Sequence, residues 1–288
     1  MQVIDTVAAW RKALDAERAH DRVVGLVPTM GALHRGHAAL IAQAARECDA
    51  VAVTVFVNPL QFGPAEDLAA YPRTLDADLA LASEHGASLV FAPSVDEMYP
   101  RPIATTVSVS GIALRWEGDT RPGHFDGVAT VVTKLLAQAG PCRAYFGEKD
   151  YQQLCVIRRL AADLDLPVTV IGCPTVREPD GLALSSRNAY LTPDERALAP
   201  ALHGALRAGA TVLGAGGSLD DCRRAMAAVL TGRGPLDVIY AEPVDPDSLE
   251  PLTTALLPGA SARLLIAARL GRTRLIDNLG VTRACAAG

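Results

Sequence analysis

The chain has 288 residues, half of them apolar and a fifth charged, a balance that fits one large or two modest globular domains. Net charge is −5 and no basic stripe occurs, so nucleic acid is not an expected partner. No apolar run reaches about 18 residues, and Arg11 and Lys12 interrupt the start, so neither a membrane span nor a secretory leader is expected.

In chain order, "RVVGLVP" (22–28) is a β-branched run ending in a breaker and predicts a buried strand. "HAALIAQAARECD" (37–49) has helical spacing, and "AVAVTVFVN" (50–58) is the near-continuous apolar run of a strand covered on both faces. Further strands are expected at 88–93, 104–110, 142–147 and 166–172, with helices at 126–140 and 150–164. This alternation predicts an α/β fold: a doubly wound parallel, Rossmann-like sheet that binds ligands at the carboxyl ends of its strands. The pattern then changes. Thr192-Pro193-Asp194-Glu195 forms a capping box ahead of one long Ala-rich helix running to about Gly214. Strands at 236–244 and 262–270 could pair. Two domains are therefore expected, residues 1–187 and a smaller C-terminal α+β domain, 188–288, covering the site. Six cysteines stand singly, with no C-x-x-C pair, as expected of reduced thiols in a cytoplasm.

The densest chemistry lies in "PTMGALHRGH" (28–37), between a strand and a helix. Gly31 allows a sharp turn and Gly36 allows close approach. With a helix starting near Leu33, His34 and His37 share one face, about 5–6 Å apart, above N–H groups that attract anions. They make a phosphate clamp that can donate to oxygens and, when protonated, offset transition-state charge. The alternatives are two solvated histidines or a metal pair, but two ligands without a third make a poor zinc site.

Other candidates sit at neighbouring strand ends. Asn58 and Gln61 follow the second strand, and Gln61 carries both a donor and an acceptor. "FGEKD" (146–150) repeats the strand–Gly–helix arrangement, with Lys149 and, further on, Gln153. Ser185, Ser186 and Arg187 in "LALSSRN" (182–188) suit a triphosphate and form a candidate lid, or else a linker. Arg121 and His124 precede a helix, and His124 reads equally well as structural or functional. Together these groups suit one nucleotide and one small polar substrate.

In order, "PTMGALHRGH", "FVNPLQFG", "YPRT", "RPGHFDGVATVV", "YFGEKDYQQL" and "LSSRNAYL" closely resemble the pantoate–β-alanine ligase family, within the wider group of nucleotidyltransferases with a HIGH-type signature. The resemblance spans about residues 25 to 195. It implies that ATP and pantoate give pantoyl adenylate and pyrophosphate, and that β-alanine then yields pantothenate and AMP. It also implies Mg²⁺ with the triphosphate, its protein ligands unknown, and a cytoplasmic homodimer.

Residue by residue, Met30, Gly31, Ala32, Leu33, His34, Arg35, Gly36 and His37 match the ATP-binding segment, with His37 as its proton donor. Gly147, Glu148, Lys149 and Asp150 match the second nucleotide segment, and Val176 a backbone contact to adenine. Leu184, Ser185, Ser186 and Arg187 match the phosphate loop. Gln61 and Gln153 match the glutamines that hold pantoate, and Gln61 also lies near the β-alanine position. The resemblance makes His34, His37, Lys149 and Arg187 the catalytic set. Leu184 replaces the family's common Met, a volume-conserving change, and Asp126 replaces a larger or basic residue. Rival readings are a transferase that stops after moving AMP, and a non-catalytic nucleotide-binding module.

Overall fold

The computed structural model describes residues 1–63, 68–69, 71–232, 234 and 236–285. It divides into two compact units: Met1–Glu148 with Gln152–Pro174, and Lys149–Tyr151 with Thr175–Gly288. The packing border at Pro174/Thr175 falls upstream of the 187/188 boundary expected from sequence.

In the first unit the elements are β1 (Gln2–Ile4), α1 (Val7–Arg18), β2 (Val24–Thr29), α2 (Arg35–Glu47), β3 (Ala50–Val55), α3 (Leu75–Glu84), β4 (Leu89–Phe91), α4 (Val95–Met98), α5 (Glu117–Thr120), α6 (His124–Ala139), β5 (Cys142–Gly147), α7, which begins in the triplet assigned to the second unit (Tyr151–Asp163), and β6 (Val168–Cys173). The strands form one parallel sheet, in the order β1-β4-β3-β2-β5-β6. Sequence order reverses between β2 and β5, which places the topological switch point at their carboxyl ends.

The strand sequences explain this placement. Every residue of β3 but the last is buried, as its Val/Ala run requires in a doubly covered sheet. On one face Ile41 and Ala44 of α2 pack with Val27, Val51, Val53 and Val90. Trp10 of α1 is fully buried and stacks on Phe91, ring centroids 5.0 Å apart. α6 is sunk into the unit, and at Gly127 an added Cβ would come within 2.2 Å of the Leu60 carbonyl oxygen. Glycine there lets the helix press against the backbone that carries Gln61.

The strand expected at 104–110 is not formed. β1 holds the edge position beside β4. The segment is tied to α6 instead: Val107 N–H donates to Thr130 Oγ1 (2.9 Å) and Ser108 Oγ donates to Asp126 (2.7 Å). That bond gives the atypical Asp126 a local role.

The second unit contains α8 (Pro193–Leu198), α9 (Ala201–Gly214), α10 (Leu219–Leu230) and an antiparallel sheet β7-β8-β9, with β7 at Leu236–Val244, β8 at Ser261–Leu270 and β9 at Thr273–Thr282. The reciprocal cap of Thr192 and Glu195 is formed. The single helix expected to follow is instead two, because Pro200 has no N–H to continue the ladder. α9 packs on β8 and β9 and α10 on α9 and β7, in one apolar cluster that includes Leu202, Leu206, Met226 and Leu264.

Candidate active site

The first turn is built at the end of β2. Gly31 (φ 83°) and Ala32 (φ 50°) both take left-handed backbone, and α2 begins at Arg35 rather than near Leu33. His34 is therefore the N-cap, not a helical residue. Its ring accepts from the Gly36 N–H (Nδ1, 3.1 Å) and from the His37 backbone, while His37 Nδ1 accepts from the His34 N–H (3.3 Å). The ring centroids lie 4.2 Å apart. The histidines thus form a reciprocal cap of the kind usually made by Ser or Thr with Glu. At Gly36 an added Cβ would meet the His34 ring at 2.8 Å, so glycine is what lets that ring fold back.

This geometry decides the tautomer. Each Nδ1 uses its lone pair to accept a backbone N–H, so the proton of each neutral ring sits on Nε2. A second proton on Nδ1 would face one donor with another and break the cap. With the cap intact, Nε2 is the position each ring keeps for its proton.

The turn is braced by a residue that sequence reasoning missed. Asp78 of α3, 2 % exposed, accepts from the N–H groups of Ala32 (3.1 Å) and Leu33 (2.7 Å) and from the Thr74 hydroxyl (3.2 Å). Beside it a cavity of about 290 Å³ is lined by Met30, Gly31, Val55, Phe56, Thr74 and Asp78, among others.

Gln61 lies at the end of β3 in a buried network. Asn58, 1 % exposed, donates to Gln61 Oε1 (3.2 Å) and to the Gly127 carbonyl (3.1 Å), and accepts from Tyr99 OH (2.8 Å). Burial pushes the Tyr99 phenol up to about 12, which keeps its proton available for that bond. Gln61 Nε2 lies 2.7 Å from Met30 Sδ, so the structure brings two expected site residues together. Arg121 donates to His124 Nε2 (2.9 Å), which puts the ring proton on Nδ1, facing the Gln61 carbonyl (2.8 Å). His124 thus secures the Gln61 backbone. Gly147 ends β5 at the other side of the switch point, and Glu148 opens the turn that follows. Gln153 sits half-buried in the first turns of α7, while its neighbour Gln152 is buried and clamps the backbone of Ile112, Arg115 and Glu117.

In the second unit, one cavity is lined by Lys149, Ser185, Arg187 and Asp277, together with Arg274, a cation that sequence reasoning did not single out. Arg274 carried no motif, and Asp78 looked like any acidic residue in a helix's first turns. Lys149 Nζ lies 3.2 Å from Asp150 Oδ1, and the Lys149 carbonyl accepts from Asn278 Nδ2 (2.8 Å). Val176 O accepts the Leu184 N–H (2.9 Å), an isolated bridge joins Arg177 to Ala183, and Ser185 Oγ caps the turn at Arg187 N (3.3 Å). Ser186 and Arg187 are exposed. Among the described residues, no group of three or more His, Cys, Asp or Glu side chains is placed to hold a metal ion.

A parallel sheet whose strand order reverses beside a capped turn at a helix start defines an α/β protein of the class that binds ligands at the carboxyl ends of its strands. Comparison with known proteins makes this specific. The family model for pantoate-beta-alanine ligase matches residues 2–280. The pantothenate synthetases of Thermus thermophilus and Rhizorhabdus wittichii are 53 % and 52 % identical, each over 98 % of this chain and 99 % of the relative. A crystal structure of the Thermus thermophilus enzyme superposes with a TM-score of 0.90 at 52 % identity, covering 97 % of this chain and 99 % of that one. The Francisella tularensis ligase, solved in complex with beta-gamma ATP and beta-alanine, superposes with a TM-score of 0.77 at 33 % identity, covering 97 % of each chain. The chain belongs to the pantoate-beta-alanine ligase family, and it is a ligase.

Proposed function

We propose that this ligase condenses pantoate with β-alanine at the expense of ATP, through pantoyl adenylate. The observation that carries the reading is the reciprocal histidine cap at the switch point, which holds both rings in the tautomer that donates from Nε2. Ligand-bound and full-length relatives supply the substrates: ATP and beta-alanine are bound by the Francisella protein.

In the first step a pantoate carboxylate oxygen bonds to the α-phosphorus, the bond from that phosphorus to the bridging oxygen breaks, and pyrophosphate leaves. The carboxylate is already ionised, so no general base is needed. The obstacle is an anion approaching a polyanion: two unit charges about 4 Å apart repel by roughly 4 kcal/mol at an effective dielectric near 20. His34 and His37 offset this by donating to phosphate oxygens as charge moves onto the leaving group. Met30 to His37 and Gly147 to Asp150 are assigned to ATP, Val176 to the adenine, and Leu184 to Arg187 to the phosphates. Lys149 and Arg187 supply positive charge to the triphosphate. Gln61 and Gln153 hold pantoate through amide donors and acceptors that match a carboxylate and hydroxyls. In the second step the neutral amine of β-alanine, oriented near Gln61, bonds to the acyl carbon, AMP leaves with the acyl oxygen, and the amine gives up a proton.

Mg²⁺ fits this scheme as a companion of the triphosphate, because it takes phosphate oxygens and water readily. A cytoplasmic homodimer completes the proposal, supported by the family resemblance, and light scattering tests the assembly.

The deciding experiment is AMP release measured with pantoate, β-alanine and ATP, omitting each in turn, beside pyrophosphate exchange measured without amine. Exchange that requires pantoate, with AMP released only when β-alanine is added, is the expected result. Exchange with a phosphorylated acceptor alone would support the transferase reading instead, and ATP binding without turnover the binding module.

A further inference from the structure

We infer that Asp78 is a positioning residue for the histidine pair, acting as an internal anion that holds the turn in its donor-ready form. The inference rests on the adenylate-forming reading above.

In this turn the successive N–H groups of Ala32 and Leu33 point to one side, a concavity that elsewhere captures a bound anion. Here that concavity contains the protein's own carboxylate. Asp78 Oδ2 accepts the Ala32 N–H and Oδ1 accepts the Leu33 N–H, with Thr74 Oγ1 donating to Oδ1. Ala32 is not glycine, and an L residue at φ 50° is strained and needs something to hold it there. Gly31 must lack a side chain, since a Cβ would stand 2.9 Å from Asp78 Oδ2. His34 follows Leu33 directly, and its ring and N–H make half of the reciprocal cap. A shift in the 31–33 backbone therefore moves His34 off the cap and, with it, the backbone N–H donor that fixes the His37 ring. Asp78 lies behind the turn and influences the reaction only through this backbone.

Asp78→Asn is the informative change. Its oxygen can keep the Leu33 N–H, but its amide turns an N–H toward the Ala32 N–H. Because a displacement near 1 Å at a reacting group costs about 100-fold, pantoate-dependent ATP–pyrophosphate exchange should fall by about 100-fold. Attack of β-alanine on supplied pantoyl adenylate should change by less than about threefold, because that step does not use the pyrophosphate-facing donors. Long-range ¹⁵N–¹H histidine spectra should show His34 and His37 as Nε2–H in the unchanged protein and tautomer averaging in the variant. Exchange kept within about threefold, or tautomers unchanged beside an equal loss of both steps, overturns the inference.

If Asp78→Asn does not fold, Thr74→Val removes one donor to the carboxylate and should lower exchange by about 3- to 10-fold, with Thr74→Ser restoring it. No change in Thr74→Val also overturns it. An unchanged protein without pantoate-dependent exchange rejects the proposed reaction instead, while the tautomer spectra still judge Asp78.

Discussion

The turn after β2 and the loop at 182–188 both offer polar groups suited to an anion, and they are built differently. In the turn, side chains hold the backbone: buried Asp78 accepts two consecutive N–H groups, and two imidazoles cap each other. In the loop, backbone pairing at Ala183 and Leu184 anchors the start, while Ser186 and Arg187 stand exposed. A braced donor costs little to hold still at the moment of reaction, which favours transition-state stabilisation. An exposed guanidinium must be ordered by its ligand, which favours binding. The turn should therefore govern turnover and the loop affinity.

The anchor of the loop is the most energetic place to break this contrast. Arg177 donates to both oxygens of Asp277 (2.6 and 2.9 Å) and to the Gly181 carbonyl (3.0 Å), and the Asp277 side chain is 3 % exposed. Asp277→Ala leaves a largely buried guanidinium without its counter-charge and should cost about 3–5 kcal/mol, read as a lower urea midpoint. A shift under about 1 kcal/mol would place the anchor elsewhere.

The next effect belongs to the turn. His37→Ala should lower turnover by at least about 100-fold yet leave ATP affinity within about tenfold, measured by AMP release and by calorimetric titration. Near-normal turnover would remove His37 from the chemistry. Arg187→Ala should do the reverse, raising the KM for ATP about tenfold with a smaller change in kcat. Equal losses of kcat in both variants would erase the distinction between the two regions.

The smallest effect is a pH limb. Burial, and next the charge of Arg177, hold the His203 imidazole below its ordinary range. The unfolded chain therefore takes up this proton first as pH falls below about 6.5, so His203 leaves stability intact above that pH and lowers it below. His203→Gln should flatten the fall in melting temperature between pH 8 and 5.5. An unaltered slope would assign the limb to other groups.

Much of the first unit was legible because its strands are short apolar runs and its helices periodic, and local patterns of this kind survive in almost any packing. The switch-point histidines were legible too, as two imidazoles beside two glycines. What failed was whatever depended on a competitor for the same place. "ATTVSVS" has strand chemistry, but β1 takes the edge beside β4. The helix starts at Arg35 rather than near Leu33 because Asp78, more than forty residues away in sequence, captures the Ala32 and Leu33 N–H groups and leaves His34 as the cap. The break at Pro200 was in plain view and was outweighed by the surrounding alanines.

By itself, then, the sequence determined a parallel α/β sheet, its approximate elements, and which side chains could meet a phosphate, because periodicity, breakers and residue chemistry are local properties. Only the tertiary structure decided which strands reach the sheet, that each histidine of the pair carries its proton on Nε2, and that a carboxylate from a different helix supports their turn. The strand order and the Asp78 contacts depend on partners distant in the chain, and the tautomers on a local turn that those contacts hold, so each lone pair's partner is fixed by the fold that brings it within about 3 Å.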